Sequence, residues 1–178
     1  ADANIRVKGG GPETKYVSRG GLKLEAALTH FNIELEGRLC IDIGSSTGGF
    51  TDCLLRHGAR HVAAVDSGTN QMAWRLRNDR RVTVMERTNA RELRAEDFAE
   101  KFDLAVMDVS FISVTKLLPV LPPLLTDSGR IVSGGAGGER EGEINQFAEQ
   151  KGLSVRGVID SPILGAEGNR EFLALYER

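Results

Sequence analysis

The stretch that decides the fold reads Ile-Asp-Ile-Gly-Ser-Ser-Thr-Gly-Gly and spans residues 41–49. An apolar strand contains the acid Asp42, turns on glycine and leads into a predicted helix. Such turns let a ligand approach backbone N–H groups at the positive end of a helix dipole. A second apolar strand ends in Asp66, where doubly wound nucleotide-binding folds hold the ribose hydroxyls. The two acids together predict a ligand that contains adenosine.

Strand and helix patterns alternate along the rest of the chain. Strands are predicted at 39–43, 62–66, 82–85, 103–108, 130–133, 153–160 and 171–177, and helices at 22–31, 48–57, 69–77, 90–99, 113–125 and 142–151. This alternation predicts an α/β fold with a mostly parallel sheet covered by helices on both faces. A loop with Pro162 and Gly165 separates the last two strands, so this pair could be antiparallel. Seven strands with a closing hairpin resemble the Rossmann-like plan of class I methyltransferases.

The composition is that of an ordinary globular domain. The chain has 178 residues, of which 40% are hydrophobic and 27% are charged. No apolar run approaches the roughly 18–20 residues that a membrane helix needs, and no signal peptide pattern begins the chain. Cys40 and Cys53 lie in apolar elements, which predicts buried free thiols and a reducing cytoplasm.

The net charge of −2 hides a basic region. Residues 75–94 contain seven arginines and three acids. A basic face on a nearly neutral protein suits a polyanion such as RNA, with Arg19, Arg75 and Arg77 as candidate phosphate contacts. Charge alone equally allows solvated helix faces with local ion pairs, so both interpretations stay open.

The spacing of the glycines in the first turn narrows the ligand. The order is acid-x-Gly-x-x-x-Gly-Gly, which does not match the G-x-G-x-x-G pattern of nicotinamide dinucleotide sites. An acid two residues before the first glycine is typical of S-adenosylmethionine sites and favours that cofactor over a nicotinamide or an empty turn. The predicted contacts to the amino-acid end of the cofactor are Asp42, Gly44, Ser45, Gly48 and Gly49. Asp66 is predicted to hold the ribose, and Asn89 to lie near the adenine.

Asp108 ends the fourth predicted strand. Strand tips at the carboxyl edge of an open parallel sheet border the crevice where ligands bind. Asp108 is therefore a candidate for catalysis and for the methyl-transfer end of the cofactor site. Capping of the next helix is the alternative role, although Ser113 looks better placed for it.

Six blocks of sequence resemble one family. They are Tyr-Val-Ser-Arg-Gly-Gly-Leu-Lys-Leu-Glu at 16–25, Asp-Ile-Gly-Ser-Ser-Thr-Gly-Gly-Phe-Thr-Asp at 42–52, Arg-Asn-Asp-Arg-Arg-Val at 77–82, Met-Glu-Arg-Thr-Asn-Ala-Arg at 85–91, Asp-Val-Ser-Phe-Ile-Ser at 108–113 and Gly-Asn-Arg-Glu-Phe-Leu at 168–173. Together they closely resemble the hemolysin A (TlyA-type) branch of the FtsJ-like RNA 2′-O-methyltransferases. The resemblance implies a class I methyltransferase domain at 16–178, S-adenosyl-L-methionine as methyl donor, and ribosomal RNA or a ribosomal subunit as partner. It also implies that residues 1–15 are the tail of a small RNA-binding module that family members place before this domain.

The resemblance also implies a catalytic set. FtsJ-like enzymes use Lys-Asp-Lys-Glu, and by motif Lys23, Asp108 and Glu171 match the first lysine, the aspartate and the glutamate. A ribose 2′-hydroxyl is a poor nucleophile, so it must be oriented and relieved of its proton. A lysine fixed by neighbouring acids can do this or can stabilise the developing alkoxide. The sulfonium already activates the methyl group, so no metal is required.

One block departs from the family. After the fifth strand the family has Lys-Pro-Gln-Phe-Glu, with the second lysine of the set, and then a longer loop. This chain has Ser-Gly-Gly-Ala-Gly-Gly at 133–138, which predicts a flexible spacer in place of the catalytic loop. Lys116 is not an obvious substitute, because it lies in the predicted helix after the fourth strand. The sequence therefore predicts cofactor binding with weak or no methyl transfer, and the alternative is a non-catalytic module that binds S-adenosylmethionine or RNA.

Direct membrane attack is not supported by the sequence, which has no pattern of a spanning helix, of long barrel strands or of a strongly apolar amphipathic helix.

Overall fold

A computed structural model describes residues 15–178 of the chain. The strands are β1 Leu39–Ile43, β2 His61–Val65, β3 Val82–Met85, β4 Phe102–Asp108, β5 Leu125–Ala136, β6 Ser154–Asp160 and β7 Glu171–Glu177. The helices are α1 Gly20–His30, α2 Gly49–Arg56, α3 Trp74–Arg77, α4 Phe111–Leu117 and α5 Glu139–Gln150. The tail predicted at 1–15 lies outside the described residues, except for Lys15.

The strands form one seven-stranded sheet in the order β3-β2-β1-β4-β5-β7-β6. Strands β1 to β5 pair in parallel, and β7 runs antiparallel to both of its neighbours, β5 and β6. One apolar layer lies between the sheet and helices α1 to α3, and a second lies between the sheet and helices α4 and α5. Because helices cover both faces, the strand interiors are almost continuously apolar. The predicted fold class, with its antiparallel closing pair, is confirmed.

Both cysteines lie within one of these apolar layers. Cys40 and Cys53 are both buried and both free, as predicted. Among the helices formed by residues 15–178, none combines the length and the apolar character that crossing a membrane requires.

Three predicted helices are shorter or different in the structure. Residues 90–99 form two 3₁₀ turns, Ala90–Glu92 and Ala95–Asp97. The side chains of Asn89 and Asp97 accept hydrogen bonds from nearby backbone N–H groups at 3.1 and 2.8 Å, and such local bonds compete with a continuous helix.

The other two predicted helices are shortened by a residue with positive φ and by prolines. Only Trp74–Arg77 is helical within 69–77, because Asn70 adopts a φ of 56° and breaks the run. Helix α4 ends at Leu117, and the prolines that follow lead into a 3₁₀ turn at Pro122–Leu124.

The glycine-rich stretch after the fifth strand is mostly strand. Ser133–Ala136 pair with β7, and Gly134 also pairs with Asp108 of β4. Backbone hydrogen bonds need no side chain, and Phe172 covers Gly135, where a Cβ atom would lie 3.3 Å from its ring. The prediction of a flexible spacer is therefore wrong for 133–136. Gly137 and Gly138 alone separate β5 from α5.

Candidate active site

The turn between β1 and α2 requires glycine at two positions. Gly44 and Gly48 have φ values of 74° and 102°, a region that favours glycine. A Cβ atom on Gly44 would lie 2.8 Å from Val109, and one on Gly48 would lie 2.5 Å from Leu76. The turn can therefore form only with glycine at both positions, which is why its sequence is informative.

Asp42 is buried under this turn. The Thr51 hydroxyl donates a hydrogen bond of 2.8 Å to Asp42 Oδ2. Burial raises the pKa of the Asp42 carboxyl to about 7, and the negative charges of Asp108 and Asp66 add to the rise, while the Thr51 bond opposes it. A carboxyl poised near neutrality at the base of the turn can meet a cationic ligand group as a full negative charge.

This pKa predicts a pH-dependent gain from Asp42→Asn. The folded pKa of about 7 lies above the ordinary value of 3.8, so this group favours folding at low pH and loses that contribution as pH rises through about 7. An amide keeps the Thr51 bond and has no charge to bury. We expect the variant to exceed the unchanged chain in unfolding free energy by on the order of 4 kcal/mol at pH 8, and by little at pH 4. Urea unfolding at both pH values measures this difference, and equal stabilities at pH 8 would contradict the pKa.

Asp66 joins the first turn to the tip of β2. Its Oδ2 accepts a hydrogen bond of 2.7 Å from Ser46 N, and its Oδ1 accepts one of 2.8 Å from Gly68 N. Ser46 has a φ of 51°, so the Asp66 carboxylate holds it in an uncommon conformation. Each carboxylate oxygen keeps a second lone pair for a ligand hydroxyl.

Two cavities meet at Gly44. The larger, of about 450 Å³, is lined by Asp66, Asn89 and the start of the segment after β4. The smaller, of about 290 Å³, is lined by the β1–α2 turn and by Asp42 and Asp108. Because Gly44 lines both, the predicted adenosine contacts and the predicted amino-acid contacts lie on either side of one residue. Gly48 is not among the lining residues, because it packs against Met72 and Leu76.

The predicted catalytic residues come together from three separate elements. Lys23 of α1 places Nζ 2.7 Å from Asp108 Oδ2 at the end of β4 and 2.7 Å from Glu171 Oε2 at the start of β7. The Lys23 side chain is 4% exposed, whereas those of Asp108 and Glu171 are 34% and 22% exposed. A nearly buried ammonium between two acids that reach solvent can orient a hydroxyl and stabilise an oxyanion.

Asp108 is free for this role because another residue caps α4. The Ser110 hydroxyl accepts a hydrogen bond of 3.4 Å from Ser113 N, so the prediction that Ser113 is the cap was wrong. The extended backbone at Ser110 makes it the cap, three residues earlier than the apolar pattern indicated.

Gly134 faces two of these three side chains, Asp108 and Lys23. It pairs with Asp108 across β4 and β5, and a Cβ atom on it would lie 2.7 Å from Asp108 Oδ1 and 3.5 Å from Lys23 Nζ. Strand alternation turns Ser133 and Gly135 to the opposite face of the sheet. A side chain at position 134 would therefore enter the Lys23–Asp108–Glu171 group directly, which the sequence pattern did not reveal.

Two of the three candidate RNA-binding arginines form local ion pairs. Arg75 lies 2.7 Å from Asp52, and Arg77 pairs with Glu86. Arg19 is exposed at the start of α1. The alternative of local ion pairs thus describes Arg75 and Arg77, although the Arg75 side chain remains 54% exposed.

Asp52 is the structural residue that the sequence analysis missed. It is buried in α2, where it accepts hydrogen bonds from Val17 N at 2.9 Å and from Arg56 Nε at 3.1 Å in addition to its Arg75 contact. Asp52 therefore fastens the segment that precedes Lys23 against α2 and α3. Two of its three partners, Val17 and Arg75, are remote in sequence, so only its polar character in an apolar helix face could have indicated it.

A family model described as FtsJ-like methyltransferase matches residues 16–178. The chain belongs to this family. The fold agrees with the match, and the resemblance to the hemolysin A branch is confirmed by close relatives.

Three similar proteins define the branch. Hemolysin A of Brachyspira hyodysenteriae is 40% identical and aligns with 91% of this chain and 77% of its own length. The 16S/23S rRNA (cytidine-2′-O)-methyltransferase TlyA of Mycobacterium tuberculosis is 41% identical over 90% of this chain and 68% of its own. The solved structure of a candidate hemolysin from Streptococcus thermophilus is 43% identical, has a TM-score of 0.89, and covers 95% of this chain and 69% of that one.

The part of the chain that the structure describes places no side-chain group suited to a metal at this site. Within residues 15–178, His, Cys, Asp and Glu side chains form no cluster of three or more that could hold an ion.

Proposed function

We propose that this chain is the S-adenosylmethionine-dependent catalytic domain of a cytoplasmic ribosomal RNA 2′-O-methyltransferase. Family membership and the relative named for cytidine 2′-O-methylation of 16S and 23S rRNA support the reaction and the substrate. The observation on which the proposal depends is the double position of Asp108. It lines the smaller cavity under the β1–α2 turn, which we call the donor cavity, and it also pairs with Lys23. The donor cavity therefore adjoins the candidate catalytic group.

The two cavities on either side of Gly44 fit the proposed cofactor. Asp42, Gly44, Ser45 and Gly49 would hold its amino-acid end, because the first is a buried acid and the others line the same cavity. Across Gly44, Asp66 would accept from the ribose hydroxyls, and Asn89 would lie at the adenine. When bound, S-adenosylmethionine supplies a methyl group that the sulfonium has already activated.

The acceptor chemistry falls to Lys23, Asp108 and Glu171. Asp108 and Glu171 hold the Lys23 ammonium in one place, where it can orient the ribose 2′-oxygen and stabilise the negative charge that develops on it. One lysine in place of the family's two leaves this charge less stabilised. We therefore infer weak turnover for the chain as it stands.

Gly134 favours a second candidate function. Where a lysine could reach the acids, the strand offers no side chain, so the domain could bind S-adenosylmethionine or RNA without catalysis. Calorimetry with S-adenosylmethionine, run beside transfer of a tritiated methyl group to ribosomal RNA, separates the two functions. Binding with slow but RNA-dependent transfer supports the enzyme, and binding with none supports the module.

Asp66→Ala tests the cofactor site itself. We expect the variant to bind S-adenosylmethionine about tenfold more weakly, because hydrogen bonds to a charged carboxylate are lost. Asp79→Ala is the matched control, since Asp79 also accepts a backbone hydrogen bond, from Arg81 N, but lies before β3 at the opposite sheet edge. Calorimetry measures both affinities, and a titration with NADH should show no binding. Equal affinities for the two variants, or tight NADH binding, would remove the proposed cofactor site.

A further inference from the structure

Trp74 is exposed to an unusual degree. It is the chain's single tryptophan, and 77% of it is accessible to solvent. Tryptophan buries more apolar area than most side chains and is enriched where proteins meet partners. The exposed indole of Trp74 is therefore a candidate for contact with a binding partner.

The backbone of Trp74 is firmly placed at the edge of the candidate active site. Ala73 N donates a hydrogen bond of 3.0 Å to Thr47 O in the β1–α2 turn. Met72 and Leu76, on either side of Trp74 in sequence, pack against Gly48 of the same turn. Trp74 begins α3 at this point, and Thr47 lines the smaller cavity, so the backbone at Trp74 lies next to a residue that lines this cavity.

The charge around Trp74 selects the chemistry of the partner. Residues 75–94 carry seven arginines and three acids in a chain whose net charge is −2. Arg75 and Arg81 keep 54% and 49% of their side chains exposed despite their ion pairs, and Arg80 is exposed as well. Exposed guanidinium groups within seven residues of an exposed indole suit a strand of phosphates and bases.

We propose that Trp74 is a stacking platform for an unpaired base of the acceptor RNA. Single-stranded RNA is bound where bases stack on aromatic rings while a basic surface follows the phosphates. Arg75 of α3, with Arg80 and Arg81 after it, supplies that basic surface, and the position beside the β1–α2 turn brings the stacked strand towards the smaller cavity. This inference rests on the proposed function, and it names the part of the RNA and the side chain that meet.

The sole tryptophan makes the test direct. The probe is an oligoadenylate of about twelve nucleotides, compared with an abasic oligomer of the same length and charge. We expect oligoadenylate to quench Trp74 fluorescence strongly and the abasic oligomer to bind with little quenching. With fluorescein-labelled RNA, Trp74→Leu should weaken binding about tenfold, and Trp74→Phe should weaken it much less, because phenylalanine keeps an aromatic face.

The outcomes distinguish this inference from the function on which it rests. If oligoadenylate binds Trp74→Leu as tightly as the unchanged chain and leaves the fluorescence constant, the platform is wrong while RNA binding stands. If neither oligomer binds although S-adenosylmethionine does, the proposed RNA substrate fails together with the platform. A fluorescence shift that follows protein concentration without RNA assigns the Trp74 face to a second copy of the chain and overturns the inference.

Discussion

Replacing Gly134 with lysine is expected to raise methyl transfer to ribosomal RNA by about 100-fold, which is the lower part of the range for a positioned catalytic group. Position 134 faces both Asp108 and Lys23, so a second ammonium there would share the two acids and the developing oxyanion. Gly134 is not among the described glycines with positive φ, so lysine fits the strand backbone. The Asp108 carboxylate must rotate away from the new Cβ atom, and its partly exposed side chain has room to do so. Tritiated methyl transfer measures the gain.

Gly134→Met is the control for this gain. Methionine has a similar length and reach without the charge, so it should add no activity. Calorimetry with S-adenosylmethionine and a thermal unfolding curve establish that each variant folds and binds. A Gly134→Lys protein that folds, binds the cofactor and transfers no faster than the methionine variant would show that a missing ammonium does not limit the chain.

Lys23→Met is expected to lower the free energy of unfolding by about 3 kcal/mol, because it leaves two carboxylates facing each other without a cation. We take the low end of the range for a broken buried pair, since the Asp108 and Glu171 side chains reach solvent. Introduced into the Gly134→Lys chain, Lys23→Met should also abolish the methyl transfer that Gly134→Lys adds. Urea unfolding at neutral pH measures the stability term.

Two comparisons isolate the charge. Lys15→Met removes the exposed lysine that pairs with Glu25 and should cost less than about 0.5 kcal/mol, as surface ion pairs do. Adding Asp108→Asn and Glu171→Gln to Lys23→Met should recover most of the loss, because amides do not repel each other. A triple variant as unstable as Lys23→Met would assign the effect to packing and not to the carboxylates.

Local sequence was sufficient for much of the fold. The β1–α2 turn was predictable because its glycines are required by positive φ and by close packing, which are properties of single residues. Asp42, Asp66 and Asp108 were found because acids in or next to apolar strands stand out, and parallel strand tips meet at one edge of the sheet. The resemblance to the family added Lys23 and Glu171, which no spacing argument would have joined across the chain.

What failed depended on contacts distant in sequence or on side chains that bond their own backbone. The helix expected at 90–99 was lost to the turns that Asn89 and Asp97 stabilise. Ser133–Ala136 looked like a spacer because glycine has low strand propensity. Pairing of the whole segment with β7, and of Ser133 and Gly134 also with β4, outweighs that propensity. The burial of Asp52 depends on Val17 and Arg75, and no local pattern reports such partners.

The short connection at Gly137 and Gly138 can be varied without disturbing the elements that hold the fold together. Backbone pairing closes the sheet through Ala136, α5 starts afresh at Glu139, and a Cβ atom on Gly138 would meet nothing within 4 Å. Peptide of varied length and composition can thus be grafted at this junction while the scaffold underneath stays intact. Evolution or engineering could therefore replace the catalytic loop at this junction, and change the acceptor, while the fold is kept.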